Sequence, residues 1–309
     1  MSLSFSRFIA IDWSGAKGPR YAGVAVAECT PGDGAPHPVP PPAGGRWWSR
    51  TAVHDWLLTV AAEEPALVGI DCAFSLPFAV AGRYGAADAF ALWDLVERVT
   101  AGHPDFLGGP FAEHPAYAGD FWLAGTRPAG YGDPHRGTEH RCRADGLGSP
   151  QSPFKLIGSK QVGRGALAGM RLLRSLRARG GGGVAVWPFE TPRPGATVLV
   201  EIYPRLFLRH AGFGQRKIRA AADVDAALAR LGSAPAGLTD AVSDHDADAL
   251  VSAAGLRFLA GHPAVWSPPA LDEEARRREG WIFGVGAEGA GMAAVSPGAP
   301  PAPGSPPYP

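Results

Sequence analysis

The chain has 309 residues, 46% of them hydrophobic and 19% charged, and carries no net charge. That length supplies core for one elaborated domain or two, and electroneutrality excludes a surface coated in cations for non-specific nucleic-acid binding while leaving local patches open. No apolar run approaches the ~20 residues of a membrane span, Met1 to Arg7 lacks a basic-then-apolar signal pattern, and three cysteines without metal-type spacing (Cys29, Cys72, Cys142) fit a reducing cytoplasm.

Arg7 to Asp12 reads as a first strand and Tyr21 to Glu28 as a second, joined into an antiparallel hairpin by a Gly-rich turn. Thr30 to Gly45 is a Pro- and Gly-rich loop. Arg46 to Ser49 is a candidate third strand, followed by an N-cap at Ser49 or Thr51 and a helix on which Val53, Trp56, Leu57 and Val60 share a face. Ala66 to Pro77 opens with an unbroken apolar run that ends on Asp71, and such continuity suits a central parallel strand buried on both faces. Residues 78–161 are the least regular part and read as a large insertion after this fourth strand, with one helical stretch at Ala86 to Val99. Val162 to Ala178 is helical. Val184 to Trp187 and Thr197 to Pro204 are strand candidates, the second carrying Glu201, and helices follow at Asp223 to Leu231 and Thr239 to Leu259. Trp281 to Val285 is a late strand or apolar anchor, and the Pro-, Gly- and Ala-rich stretch 287–309 reads as a disordered tail behind a domain at 1–286.

Asp12, Asp71 and Glu201 each close a hydrophobic strand, and parallel neighbours bring such ends to one edge of a sheet. A lone strand-end Asp merely caps its turn; three of them point to a shared site. Asp240, Asp244 and Asp248 recur at intervals of four along the last long helix. Asp240 reads as its cap and Asp244 as either solvated or site-facing, whereas Asp248 lies two turns inside, where no cap is needed. Ala249, Leu250, Ala253, Ala254 and Leu256 supply the packing face. Clustered carboxylates repel one another unless neutralised, and oxygen-rich sites suit Mg²⁺ or Mn²⁺, which activate water and stabilise the leaving oxygen in phosphodiester hydrolysis.

This order of elements resembles the ribonuclease H-like fold, and His245-x-x-Asp248-Ala249 resembles the last-helix motif of Holliday-junction resolvases of that superfamily. Ile11-Asp12-Trp13-Ser14-Gly15, Gly69 to Pro77, Glu201-Ile202-Tyr203-Pro204-Arg205, Asp248-Ala249 and Glu279-Gly280-Trp281-Ile282 resemble the uncharacterised family called domain of unknown function 429, described as predicted nucleases of that fold. The resemblance spans about residues 7 to 285. It implies an α/β protein with a mixed five-stranded sheet and helices on both faces. It further implies Asp12, Asp71 and Asp248 as ligands of Mg²⁺ or Mn²⁺, Asp244 or His245 assisting, Glu201 lining the site, and Ser14, Tyr203 and Arg205 beside the substrate. Ribonuclease H enzymes also carry a Glu on the first helix; here Glu63 and Glu64 lie at that helix's far end, closer to the resolvase arrangement, which lacks it.

The implied partner is DNA or RNA. Lys155, Lys160, Arg164, Arg171, Arg174, Arg177 and Arg179 form a basic run with no acid between them, and Lys160 and Arg164 flank a Gly-containing turn suited to phosphates. The plain reading of Arg171 to Arg179 is a solvated helix face paired with acids. Tyr117, Phe121, Trp122 and Tyr131 either stack bases or fill a core, and His135, His140 and Cys142 lack a usual zinc spacing. Two alternatives stand beside the nuclease: a catalytically silent nucleotide- or partner-binding module of the same fold, and a phosphotransferase of the actin-like or sugar-kinase class. The second requires two copies of the core, and no internal repeat is visible.

Overall fold

The computed structural model describes residues 3–18, 21–42, 44–129, 131–158, 161–214 and 216–287. Lys160 and the tail from residue 288 onward lie outside them; Ala287, which the sequence assigns to the tail, is buried.

Six strands form one mixed sheet. They are β1 (Arg7–Asp12), β2 (Ala25–Cys29), β3 (His37–Pro38), β4 (Ala66–Ile70), β5 (Val184–Val186) and β6 (Thr197–Glu201), in the order β3-β2-β1-β4-β6-β5. β1, β2 and β3 are antiparallel neighbours, and β4, β6 and β5 run parallel to β1. The expected sheet of five strands is therefore too small, because both Val184–Val186 and Thr197–Glu201 join it. The expected third strand is also displaced: Arg46 to Ser49 is not a strand, although Trp48 makes a single antiparallel bridge to Tyr21. Trp48 is buried and packs its ring 5.5 Å from Trp56, so its bulk serves helix packing.

Alternation along β1 divides the core. Ile9 and Ile11 face one side of the sheet and Phe8 and Ala10 the other. On the first side lie α1 (Arg50–Glu63), α3 (Ala89–Thr100) and α6 (Val162–Gly180). α1 starts where Ser49 Oγ accepts the N–H of Ala52 at 3.0 Å, and α3 where Asp88 accepts that of Ala91 at 2.9 Å. The second side is covered by α7 (Pro204–His210), α8 (Ala221–Arg230) and α9 (Asp244–Ala260).

Close approach on both sides depends on glycines. A Cβ on Gly169 of α6 would lie 2.4 Å from Cys72 Sγ, and one on Gly255 of α9 would lie 2.2 Å from the Phe207 ring. Each position lets a helix sit against the structure beside it at a separation that no other residue permits.

The insertion is more ordered than its sequence suggests, with α2 (Phe78–Ala81), α4 (Gly109–Glu113) and α5 (Gly137–Ala144) besides α3. Its aromatics pack on one another: Tyr117 stacks on Phe111 with centroids 4.4 Å apart, and Phe121 is buried beside Phe154. Trp281 to Val285 forms no strand; it is an apolar anchor, with Ile282 bridged to the end of β6. No helix of the described residues is long and apolar enough to cross a membrane.

Candidate functional site

The parallel strands β1, β4 and β6 end together, and a cleft of about 930 Å³ opens over their C-terminal edge. Asp12, Asp71, Glu201 and Asp248 all line it. The Asp71 N–H donates to the Ile11 carbonyl at 2.9 Å, which fixes the turn after β4 beside the end of β1. α9 begins later than the acid spacing suggests: its cap is Ser243, whose Oγ accepts the Asp246 N–H at 3.1 Å, so Asp240 precedes the helix and caps nothing. Asp248 then falls in the second turn, on the margin between the buried Ala247 and Ala249 and the cleft.

Electrostatically, the floor is under stress. Burial, then the charges of Asp12, Asp248 and Glu201, hold the Asp71 carboxyl well above the ordinary carboxylate range. Burial, followed by Asp12, pushes Asp248 up to about 6, with Arg205 pulling the other way. Asp12, only 8% exposed, is likewise raised by burial, although its hydrogen bond with His245 Nδ1 and the Trp13 backbone N–H oppose that rise. His245 is in turn pushed up by its hydrogen bond to Asp12. Among the described residues no side chain pairs with Asp71 or Asp248, and no three His, Cys, Asp or Glu side chains stand grouped as a ready-made metal cage.

Glu201 is differently placed. Arg136 Nη1 donates to its Oε2 at 2.9 Å and Nη2 to its Oε1 at 2.5 Å, while the Phe74 N–H donates to Oε2 at 3.0 Å. The same buried guanidinium bonds Glu139 at 2.8 Å and the Glu279 carbonyl at 2.9 Å. Glu279 also accepts the N–H groups of Phe78 at 2.8 Å and Gly137 at 3.0 Å. Glu201 therefore belongs to a structural lock that ties the insertion to β6, and the Glu279-Gly280-Trp281-Ile282 motif is part of that lock. Nothing in the sequence around Arg136 marks its tie to Glu201, which lies 65 positions away.

Asp244 lines the cleft mouth with both oxygens engaged, by Lys217 Nζ and by Arg219 Nε at 2.5 Å and Nη2 at 3.0 Å. Those donors hold its carboxyl far below the ordinary range. Ser14, Arg164, Tyr203 and Arg205 line the same cleft. Burial pushes the Tyr203 hydroxyl up to about 12, and its ring packs against Gly148. Arg164 stands where α6 meets the turn after β1: a Cβ on Gly15 would lie 2.0 Å from the Arg164 carbonyl carbon, and Trp13 Nε1 donates to the Gly165 carbonyl at 3.1 Å. The turn is held from behind by buried Arg50, which donates to the carbonyls of Ser14 at 2.8 Å and Ala16 at 3.1 Å.

The basic run divides. Arg171 is buried against Glu97 at 2.7 Å, and Arg174 and Arg177 pair with Asp94 and Glu190, so this stretch of α6 holds the helix layer together and does not reach the cleft. Lys155 sits over the Trp122 ring and bonds Gln151, and Lys160 lies outside the described residues. A second acid-free run passes unremarked in the sequence: Arg205, Arg209, Arg216, Lys217 and Arg219 follow one another between Glu201 and Asp223. Comparison with protein-family models, with curated proteins and with solved structures yields no match, so the reading of this cleft rests on its own chemistry.

Proposed function

We propose that the chain is a metal-dependent nuclease that hydrolyses phosphodiester bonds in DNA or RNA, of the ribonuclease H-like superfamily and of the family called domain of unknown function 429. One observation carries the reading: Asp12, Asp71 and Asp248, from two strand ends and a helix, converge on one cleft, where Asp12 and Asp248 raise the proton affinity of Asp71 and Asp12 that of Asp248. A hairpin, a central parallel strand followed by Asp71 and a late helix carrying Asp248 support the reading.

The donor chemistry fits Mg²⁺ or Mn²⁺, because three hard oxygen ligands whose charges act on one another are what such ions neutralise. Asp12, Asp71 and Asp248 would hold the ion, which when bound supplies an activated water and charge stabilisation at the leaving oxygen. The protein's own groups do the remaining work. His245 Nδ1 donates to Asp12 Oδ2, which fixes the ring at the cleft edge and leaves Nε2 to carry or accept a proton. Arg136 holds Glu201 as a wall of the cleft, and Arg50 holds the Ser14 to Ala16 turn so that a phosphate backbone can pass close to the acids.

A silent binding module is the second reading, favoured by the engagement of Asp12 with His245 and by the lack, among the described residues, of a preformed three-ligand group. Labelled single-stranded, duplex and branched DNA and RNA, incubated with and without Mn²⁺, separate the two. The nuclease cuts at least one of them with Mn²⁺ and loses that activity in Asp12→Asn and Asp71→Asn. Cleavage that survives both substitutions sinks the proposed site, and binding without cleavage of any substrate establishes the module.

A further inference from the structure

We propose that Lys217 and Arg219, with Arg205, form the phosphate-binding rim on the α9 side of the cleft, and that Asp244 is the counter-ion that a nucleic-acid backbone displaces there. The inference deepens the nuclease reading and rests on it.

The segment between α7 and α8 brings these cations to the mouth. Arg205 and Lys217 line the cleft, Arg205 Nη1 donates to the Arg216 carbonyl at 3.1 Å, and the Val242 N–H donates to the Arg219 carbonyl at 2.9 Å. These bonds fix the segment against the approach to α9. Three cations here share two carboxylates: Asp223 takes Arg216 at 2.7 Å, and Asp244 takes both Lys217 and Arg219. In these pairs cations outnumber carboxylates, beside a floor that carries Asp12, Asp71 and Asp248.

The way Asp244 is held resembles the way a phosphate is held. One guanidinium grips both oxygens of the carboxylate while an ammonium closes on one of them, the donor set that also suits a phosphodiester. Exchange is easy, because the side chains of Lys217 and Arg219 are 58% and 67% exposed, and exposed ion pairs contribute little to stability. Arg164 faces the same cleft from α6, so a strand crossing the acids meets cations on both sides. Asp244 then acts on substrate as a competitor for cations, and does no chemistry itself.

The experiment is anisotropy of labelled 20-nucleotide single-stranded DNA, single-stranded RNA and duplex DNA with the full chain in EDTA, at several salt concentrations. Lys217→Glu/Arg219→Glu is expected to weaken binding at least about tenfold and to flatten the salt dependence by one to two phosphate contacts, at about 0.7 to 0.9 in slope per contact. Asp244→Asn is expected to tighten binding about three- to tenfold at low salt. Should the double variant fail to fold, Lys217→Gln and Asp244→Asn read the two opposite signs alone. Parent that binds while neither substitution changes affinity overturns the rim and leaves the nuclease reading intact. Asp244→Asn that binds as the parent does but no longer cuts overturns the counter-ion role and makes Asp244 part of the reacting site. Parent that neither binds nor cuts any of the probes removes both readings together.

Discussion

Replacing Asp248 by Asn should make the metal-free protein more stable at neutral and alkaline pH. In the folded state the carboxyl titrates near 6, against an ordinary value of 3.8, so the folded protein holds this proton more tightly than the unfolded chain does. The contribution of Asp248 is therefore fully present below about pH 4, is lost as pH rises through 6, and is flat above. At 1.36 kcal/mol per pH unit, the ionised side chain costs the fold at most about 3 kcal/mol at pH 8, and partial access to the cleft reduces this to about 1–3 kcal/mol. Asn keeps the shape and removes the charge. The variant should melt about 2–6 °C above the parent at pH 8 in EDTA, and that gap should close by pH 4, other titrations cancelling in the difference. With Mn²⁺ the order should reverse, since the parent gains a ligand and the variant loses one. A variant less stable than its parent at pH 8 in EDTA would falsify the description of the floor as mutually repelling acids.

Thermal melts should show Mn²⁺ stabilising the parent, by about 2.7 kcal/mol at a hundred times the dissociation constant, and leaving Asp71→Asn unmoved; equal shifts in both would place any bound ion elsewhere. Arg136→Met strands two buried carboxylates, Glu139 and Glu201, and should cost about 3–5 kcal/mol in urea unfolding, part of which Glu201→Gln restores. Additive losses in the two variants would mean that the lock is not a unit. Gly169→Ala would ordinarily stabilise a helix by about 1 kcal/mol, yet its Cβ meets Cys72 Sγ at 2.4 Å, so a net loss of about 1–2 kcal/mol is expected. Cys72→Ala should relieve that loss, and a Gly169→Ala variant as stable as the parent would show that α6 can slide away from the site.

What was legible in the sequence followed from local patterning. The apolar runs ending on Asp12, Asp71 and Glu201 announced strand ends because burial on both faces leaves no alternation to confuse. Asp248 was legible because an acid past the first turn of a helix of alanines and leucines has no capping role. β3 was not, since two exposed residues in a Pro-rich loop are held mainly by backbone bonds such as Val39 N–H to the Val26 carbonyl at 2.8 Å. The start of α9 misled for a different reason. Asp240 and Ser243 are both competent caps, and only the surrounding fold selects Ser243, which also removes Asp240 from the acidic face. Arg136 and the rim of Lys217 and Arg219 escaped because their meaning lies in contacts across the fold, 65 positions away for Glu201 and 27 and 25 for Asp244.

Two kinds of acid stand side by side at this sheet edge, and their contrast underlies the proposed assignment. Glu201 is buried and gripped from within by the Arg136 guanidinium of the insertion, which it shares with Glu139. Asp71 is surrounded by Asp12, Asp248 and Glu201 and has no such partner among the described residues, although a chain with 29 cations has the means to provide one. Along α6 the corresponding charges are matched: Glu97 by Arg171, Asp94 by Arg174, Glu190 by Arg177. An uncompensated acid is costly wherever water is scarce, and a fold that matches its other charges has no structural reason to tolerate it. A cation admitted through the open side of the cleft is the compensation that the proposed metal ion would bring. Asp12, Asp71 and Asp248 face that opening and Glu201 does not depend on it, which is why the proposed chemistry is assigned to the three aspartates and the wall to the glutamate.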